Sequence, residues 1–115
     1  MRNFDEVWKR VLSYCSTTKE VTTLVRKNRN VIVGTGPDYV IVRSDFPEDK
    51  SVPKERKLIR RDFEYAWKTI TSKGRISLDD LDPKLRHRKS IICTLLVKSG
   101  SVSVSGSPMN FRAIQ

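Results

Sequence analysis

Within residues 77–115 the apolar residues change their period twice, and this constrains the chain more than any other feature. Ser77-Leu78-Asp79-Asp80-Leu81 reads as a short capped helix, with Ser77 as N-cap and Asp79 and Asp80 in the first turn, where the helix dipole favours anions. Pro83 suits the first turn of a second helix, which the apolar spacing carries to Leu96 or Val97, short of Ser99-Gly100. The period then becomes two: Val102 and Val104 alternate with Ser101, Ser103 and Ser105, residues 106–108 turn the chain, and Met109, Phe111 and Ala113 alternate with Asn110, Arg112 and Ile114. One kind of element cannot satisfy both periods, so this stretch combines helices with a β-hairpin.

Upstream, residues 3–15 carry Phe4, Val7, Trp8, Val11, Leu12 and Cys15 at helical spacing, with Asn3 as N-cap and Glu6 three residues later. Val21 to Arg26, Val31-Ile32-Val33 and Tyr39-Val40-Ile41-Val42 are β-branched runs separated by Asn28-Arg29-Asn30 and by Gly34-Thr35-Gly36-Pro37-Asp38, which predicts a small antiparallel meander. Residues 45–60 mix charge with Pro47 and Pro53 and read as a surface loop or linker. Arg61 to Lys73 is the clearest helix: Phe63, Ala66, Trp67 and Ile70 share one face, and Gly74 follows as a left-handed cap. The expected class is therefore α+β, with residues 1–44 forming a helix and meander, 45–60 a linker, and 61–115 a second unit.

The charge is uneven. Residues 1–50 hold 9 Lys and Arg against 7 Asp and Glu, whereas residues 51–115 hold 14 against 6, within a chain of net charge +10. Such a balance attracts polyanions, nucleic acid first among them. Cations at the front of a helix oppose its dipole, so Lys84, Arg86, His87, Arg88 and Lys89 are not placed there for local stability; a bound phosphate accounts for them. No apolar run approaches a membrane span and no signal-peptide pattern is present, so a cytoplasmic protein is expected. Cys15 and Cys93 fall inside apolar helical patterns and read as buried free thiols.

The succession of the helix ending at Lys73, then Gly74-Arg75-Ile76, Ser77-x-x-Asp80-Leu81, a basic-fronted helix ending Leu95-Leu96-Val97-Lys98-Ser99-Gly100, and Val102-Ser103-Val104 resembles the winged helix-turn-helix superfamily of DNA-binding modules. The whole chain more distantly resembles small modules of archaeal or phage DNA-processing and restriction systems. The resemblance implies that the second helix of the pair enters the major groove of double-stranded DNA. On that basis Lys84, Arg86, His87, Arg88, Lys89, Ser90 and Thr94 are the expected nucleic-acid contacts, joined by Arg112 on the wing. Ser-rich and nearly free of cations, this wing departs from a DNA-gripping one. Lys54, Arg56, Lys57, Arg60 and Arg61 form a second basic cluster that would meet flanking phosphates or simply solubilise a loop.

These features describe a non-enzymatic DNA binder, a transcriptional regulator or DNA-processing accessory, with no cofactor, metal or small-molecule substrate. Homodimerisation through Phe4, Trp8 and Leu12 would fit paired half-sites. The alternatives are a protein-interaction adaptor built on a winged helix and, behind it, a small metal-dependent nuclease. For the nuclease, Pro37-Asp38 and Glu48-Asp49-Lys50 supply the letters of a PD-(D/E)-x-K motif, but in a turn and a proline-bounded loop rather than on adjacent strands.

Overall fold

In the computed structural model, which describes residues 3–25, 27–44, 55–86, 88–106 and 109–114, Asn3 starts the first helix as its side chain predicts. Its Oδ1 accepts from the Glu6 N–H at 3.0 Å, and α1 runs Phe4–Thr17 with Phe4, Val7, Trp8, Val11 and Cys15 buried. Four strands follow, β1 (Glu20–Thr22), β2 (Arg29–Thr35), β3 (Tyr39–Ser44) and β4 (Glu55–Ile59), paired antiparallel in that order. Register slips between Ile32 and Gly34, a β-bulge that leaves Val33 half exposed at 50%. Val21, Val40, Val42 and Leu58 point inward, so one face of the sheet meets the helices.

β4 corrects the expected linker, whose residues 45–54 lie outside the described residues. Residues 55–59 are a strand rather than loop. It escapes the sequence pattern because its two inward positions are Arg56 and Leu58, and a charged residue at one of them hides the period of two. α2 (Arg60–Lys73) follows directly and buries Phe63, Ala66, Trp67 and Ile70. It ends at Gly74, whose φ of +81° lets its N–H reach the Ile70 carbonyl at 2.8 Å.

The second helix of the expected pair is divided. Leu78–Asp80 and Pro83–Leu85 are single 3-10 turns, the first held by Asp80 Oδ2 accepting from the Ser77 N–H at 2.8 Å, the second by Asp82 Oδ1 accepting from the Lys84 N–H at 2.9 Å. Only at Arg88 does α3 (Arg88–Lys98) begin. β5 (Val102–Ser105) and β6 (Asn110–Ala113) then form the predicted hairpin, and Ile76 bridges Phe111 in both directions, at 3.1 and 2.7 Å. The result is a mixed α+β fold with helices, a four-stranded antiparallel sheet and a two-stranded one.

α1, the sheet, α2, α3 and the hairpin share one hydrophobic core. Trp8 of α1 stacks at a tilt on Phe63 of α2, 5.1 Å between centroids, so the core runs unbroken past residues 45–60. Phe4 and Trp8 are 7% and 4% exposed, and Leu12 lies against the same core. The face offered for dimerisation is thus already covered within the chain, because the sheet and α2 supply the apolar surface it needs. No helix among the described residues is long and apolar enough to cross a membrane.

Candidate nucleic-acid interface

α3 does not present a face to a groove. Ser90, Ile91, Ile92, Cys93, Thr94, Leu95 and Leu96 are all buried, two consecutive turns with no solvated side. Ser90 and Thr94, expected one and two turns along a recognition face, are 6% and 1% exposed, and Thr94 Oγ1 accepts from the Leu24 N–H at 3.1 Å. The physical reason is composition: this run holds no charged residue, and it packs against α1, α2, the Leu78–Asp80 turn and the hairpin. The signal was available, since a solvated helix face carries charge and residues 90–96 have only Ser90 and Thr94 as polar side chains and no charged one.

The cations ahead of α3 separate into two groups. Lys84 and Arg86 are exposed in the turn that precedes the helix. Arg86 holds φ +50° and ψ −123°, a backbone conformation that glycine tolerates and other residues rarely adopt. Arg88, by contrast, is committed internally. Its Nη1 lies 3.3 Å from Asp62 Oδ2, a carboxylate only 13% exposed, while Nε and Nη2 donate to the Leu85 and Lys84 carbonyls at 3.3 Å each. Lys89 is half-buried, and His87 lies outside the described residues.

Arg60 and Arg61, expected together, both border the depression at the front end of α2 but differ in what they touch. Arg60 pairs with Asp5 and lies 5.3 Å from the Phe4 ring centroid, fastening α2 to α1. Arg61 is exposed, and with Tyr65, Lys68 and Ser72 it forms the outer stripe of α2 at i, i+4, i+7 and i+11, opposite the buried stripe. A shallow depression runs along this stripe, lined by Arg61, Tyr65, Lys68 and Lys73 among others. At the front end of α2 a second depression holds Lys57, whose ammonium sits 4.3 Å from the Tyr39 ring centroid. Past the C-terminus of α2, a third is lined by Lys73, Gly74, Arg75, Arg112 and Ala113.

The turn that carries Lys84 and Arg86 abuts the outer stripe, because the Tyr65 hydroxyl accepts from the Asp82 N–H at 2.9 Å. One surface therefore carries Lys57, Arg61, Lys68, Lys73, Arg75, Lys84, Arg86 and Arg112. Asp38, Glu64, Asp79, Asp80 and Asp82 are the acids in or beside these depressions and this turn, and Glu64 faces Lys68 at 3.6 Å. Arg61, Lys73, Arg75, Lys84, Arg86 and Arg112 form no ion pair among the described residues. α2, at 14 residues, is about 21 Å long. Laid parallel to a duplex axis, that length spans the rise of roughly six base pairs.

Chemistry beyond charge is sparse here. Among the described residues no group of three or more His, Cys, Asp or Glu could hold a metal ion. Asp38 is exposed in the β2–β3 turn, and Glu48, Asp49 and Lys50 of the nuclease letters lie outside the described residues. Cys15 and Cys93 are buried, and burial pushes both thiols up to about 12, so neither is a nucleophile at neutral pH. No family model matches this chain, and no curated protein or solved structure is recognisably similar to it.

Proposed function

We propose that this protein is a non-enzymatic binder of double-stranded DNA, and that it docks through the outer stripe of α2 and the Lys84–Arg86 turn rather than by laying α3 in the major groove. The observation that carries the reading is the concentration of unpaired, exposed cations on that one surface. A polyanion releases counterions on meeting such a ridge, which supplies affinity without sequence readout. Residues 60–113 follow the order of a winged helix, with α2, the Ile76 bridge, the short turns, α3 and the β5–β6 hairpin in sequence. Arg112, exposed on β6, would then place the wing against the same backbone.

The test is a salt-titrated binding series on duplex DNA. With about five phosphates engaged, log K against log salt should slope near −4 to −5. The pair Lys84→Glu and Arg86→Glu, and separately Arg61→Glu with Lys68→Glu, should each weaken binding at least tenfold while the protein stays folded. Unchanged affinity in both pairs removes the surface from consideration, and a flat salt response removes phosphate binding.

A second reading, an adaptor, draws on the outer face of the sheet. Val33 is 50% exposed there, beside half-buried Val31 and Ile41. Duplex affinity no greater than that of an unrelated protein of equal charge would favour it.

A further inference from the structure

The outer stripe of α2 carries one side chain that charge does not explain. Tyr65 is 37% exposed, the only aromatic ring among the large apolar side chains left open in the described residues. The core does not call for it, because Phe63, Ala66, Trp67 and Ile70 complete the buried stripe of the helix without it. Helix propensity does not call for it either, since aromatic residues lose side-chain freedom against the preceding turn. Its hydroxyl accepts from the Asp82 N–H at 2.9 Å, but that bond is exposed and water would serve the N–H nearly as well.

The hydroxyl contact has a second effect. Rooted in α2 at one end and held by the Asp82 backbone at the other, the ring keeps one direction, so a partner that lies on it has little side-chain freedom left to remove. Tyr65 lines the depression along α2 with Arg61, Lys68 and Lys73, and carbon makes up most of the surface there. Arg61 precedes the ring by four residues and Lys68 follows it by three, so a cation stands one helical turn away on either side. Glu64, the acid lining this depression, is opposite Lys68 at 3.6 Å. Phosphates account for the cations, but an aromatic ring between them gains nothing from a phosphate; it gains from the face of a base.

We infer that the Tyr65 ring is a stacking platform for an unpaired base, with Arg61 and Lys68 meeting the phosphates on either side of it. A base inside a duplex has both faces covered by its neighbours, so the surface prefers DNA that carries a single-stranded segment beside its duplex. This rests on the proposal that the outer stripe of α2 binds DNA, and it specifies which DNA.

Titration of the full chain with three DNAs tests this: a blunt duplex, the same duplex with a short single-stranded overhang, and that duplex with an overhang of abasic sites, which keeps the phosphates and removes the bases. The base-bearing overhang should bind about tenfold more tightly than the abasic one. A 2-aminopurine in the overhang should be quenched on binding, and Trp8 and Trp67, both 4% exposed, are too buried to quench it. In Tyr65→Leu the quenching should disappear and the two overhangs should come within about twofold of each other, whereas Tyr65→Phe, which keeps the ring and loses the oxygen, should retain both effects. Equal affinity for the two overhangs in the wild type, or quenching that survives in Tyr65→Leu, overturns the platform. A phenylalanine variant that behaves like the leucine one also overturns it, since the tyrosine would then be only a strut for the turn at Asp82. Blunt-duplex binding with the expected salt slope but no preference between overhangs sinks the platform and leaves the DNA reading standing, whereas no binding to any of the three sinks both. Should Tyr65→Leu not fold, the wild-type comparison of overhangs decides.

Discussion

Arg86 pays for its position with an unfavourable backbone, since φ +50° costs a non-glycine residue on the order of 1–3 kcal/mol. Arg86→Gly should therefore raise stability by about 1 kcal/mol in denaturant unfolding while weakening duplex binding. A gain in both would mean the arginine is not held there for its charge. Arg88 is the opposite case. Replacing it with glutamate sets two carboxylates against each other at Asp62 and removes three internal contacts, so Arg88→Glu should cost about 2–4 kcal/mol, whereas exposed Lys84→Glu should cost under about 0.5 kcal/mol. Charge reversal at the pair of Arg86 and Arg88 would thus confound folding with binding. The two thiols give a pH dependence. Unfolded thiols titrate near 9.0 and the buried ones near about 12, so the folded state holds these protons more tightly. Stability is full below pH 9.0 and falls as the pH rises from there towards about 12, by up to about 1.4 kcal/mol per thiol per pH unit. Urea midpoints at pH 8 and 10.5 should diverge less in Cys93→Ala than in the wild type.

Helix ends and helix faces were legible to different degrees. Asn3 capping α1 and Gly74 ending α2 follow from local chemistry, and both stand where the spacing puts them. At Gly74 a methyl group would meet nothing within 4 Å, so Gly74→Ala should cost about 1 kcal/mol through backbone conformation alone, measured by urea unfolding. β4 and the division of residues 83–97 were not legible. In β4 an inward arginine disguises the strand, and at Arg86 the expected helix is interrupted by a positive-φ backbone that no side-chain pattern encodes. Seven uncharged residues from Ser90 to Leu96 did carry a signal, that of a helix buried on all sides, which argues against a groove-reading role for its body.

At the scale of the whole molecule, one core joins α1 and the sheet to α2, α3 and the hairpin, so the protein should unfold in a single transition. Trp8 and Trp67, both 4% exposed, sit on either side of the region expected to be a linker, and their fluorescence change should coincide with loss of far-ultraviolet circular dichroism. Two separate transitions would show that the halves are independent. By itself the sequence determined the α+β class, the caps, most strands, the aromatic core and the basic character of the second half, because these rest on neighbours within a few residues. Only the tertiary structure decided which elements enclose α3, that Arg88 and Arg60 are fastened inside the chain, that Arg56 is buried, and that α2 joins the Lys84–Arg86 turn as one cationic surface. Burial and pairing depend on which distant residues arrive beside a side chain, and the spacing of letters along the chain does not record that.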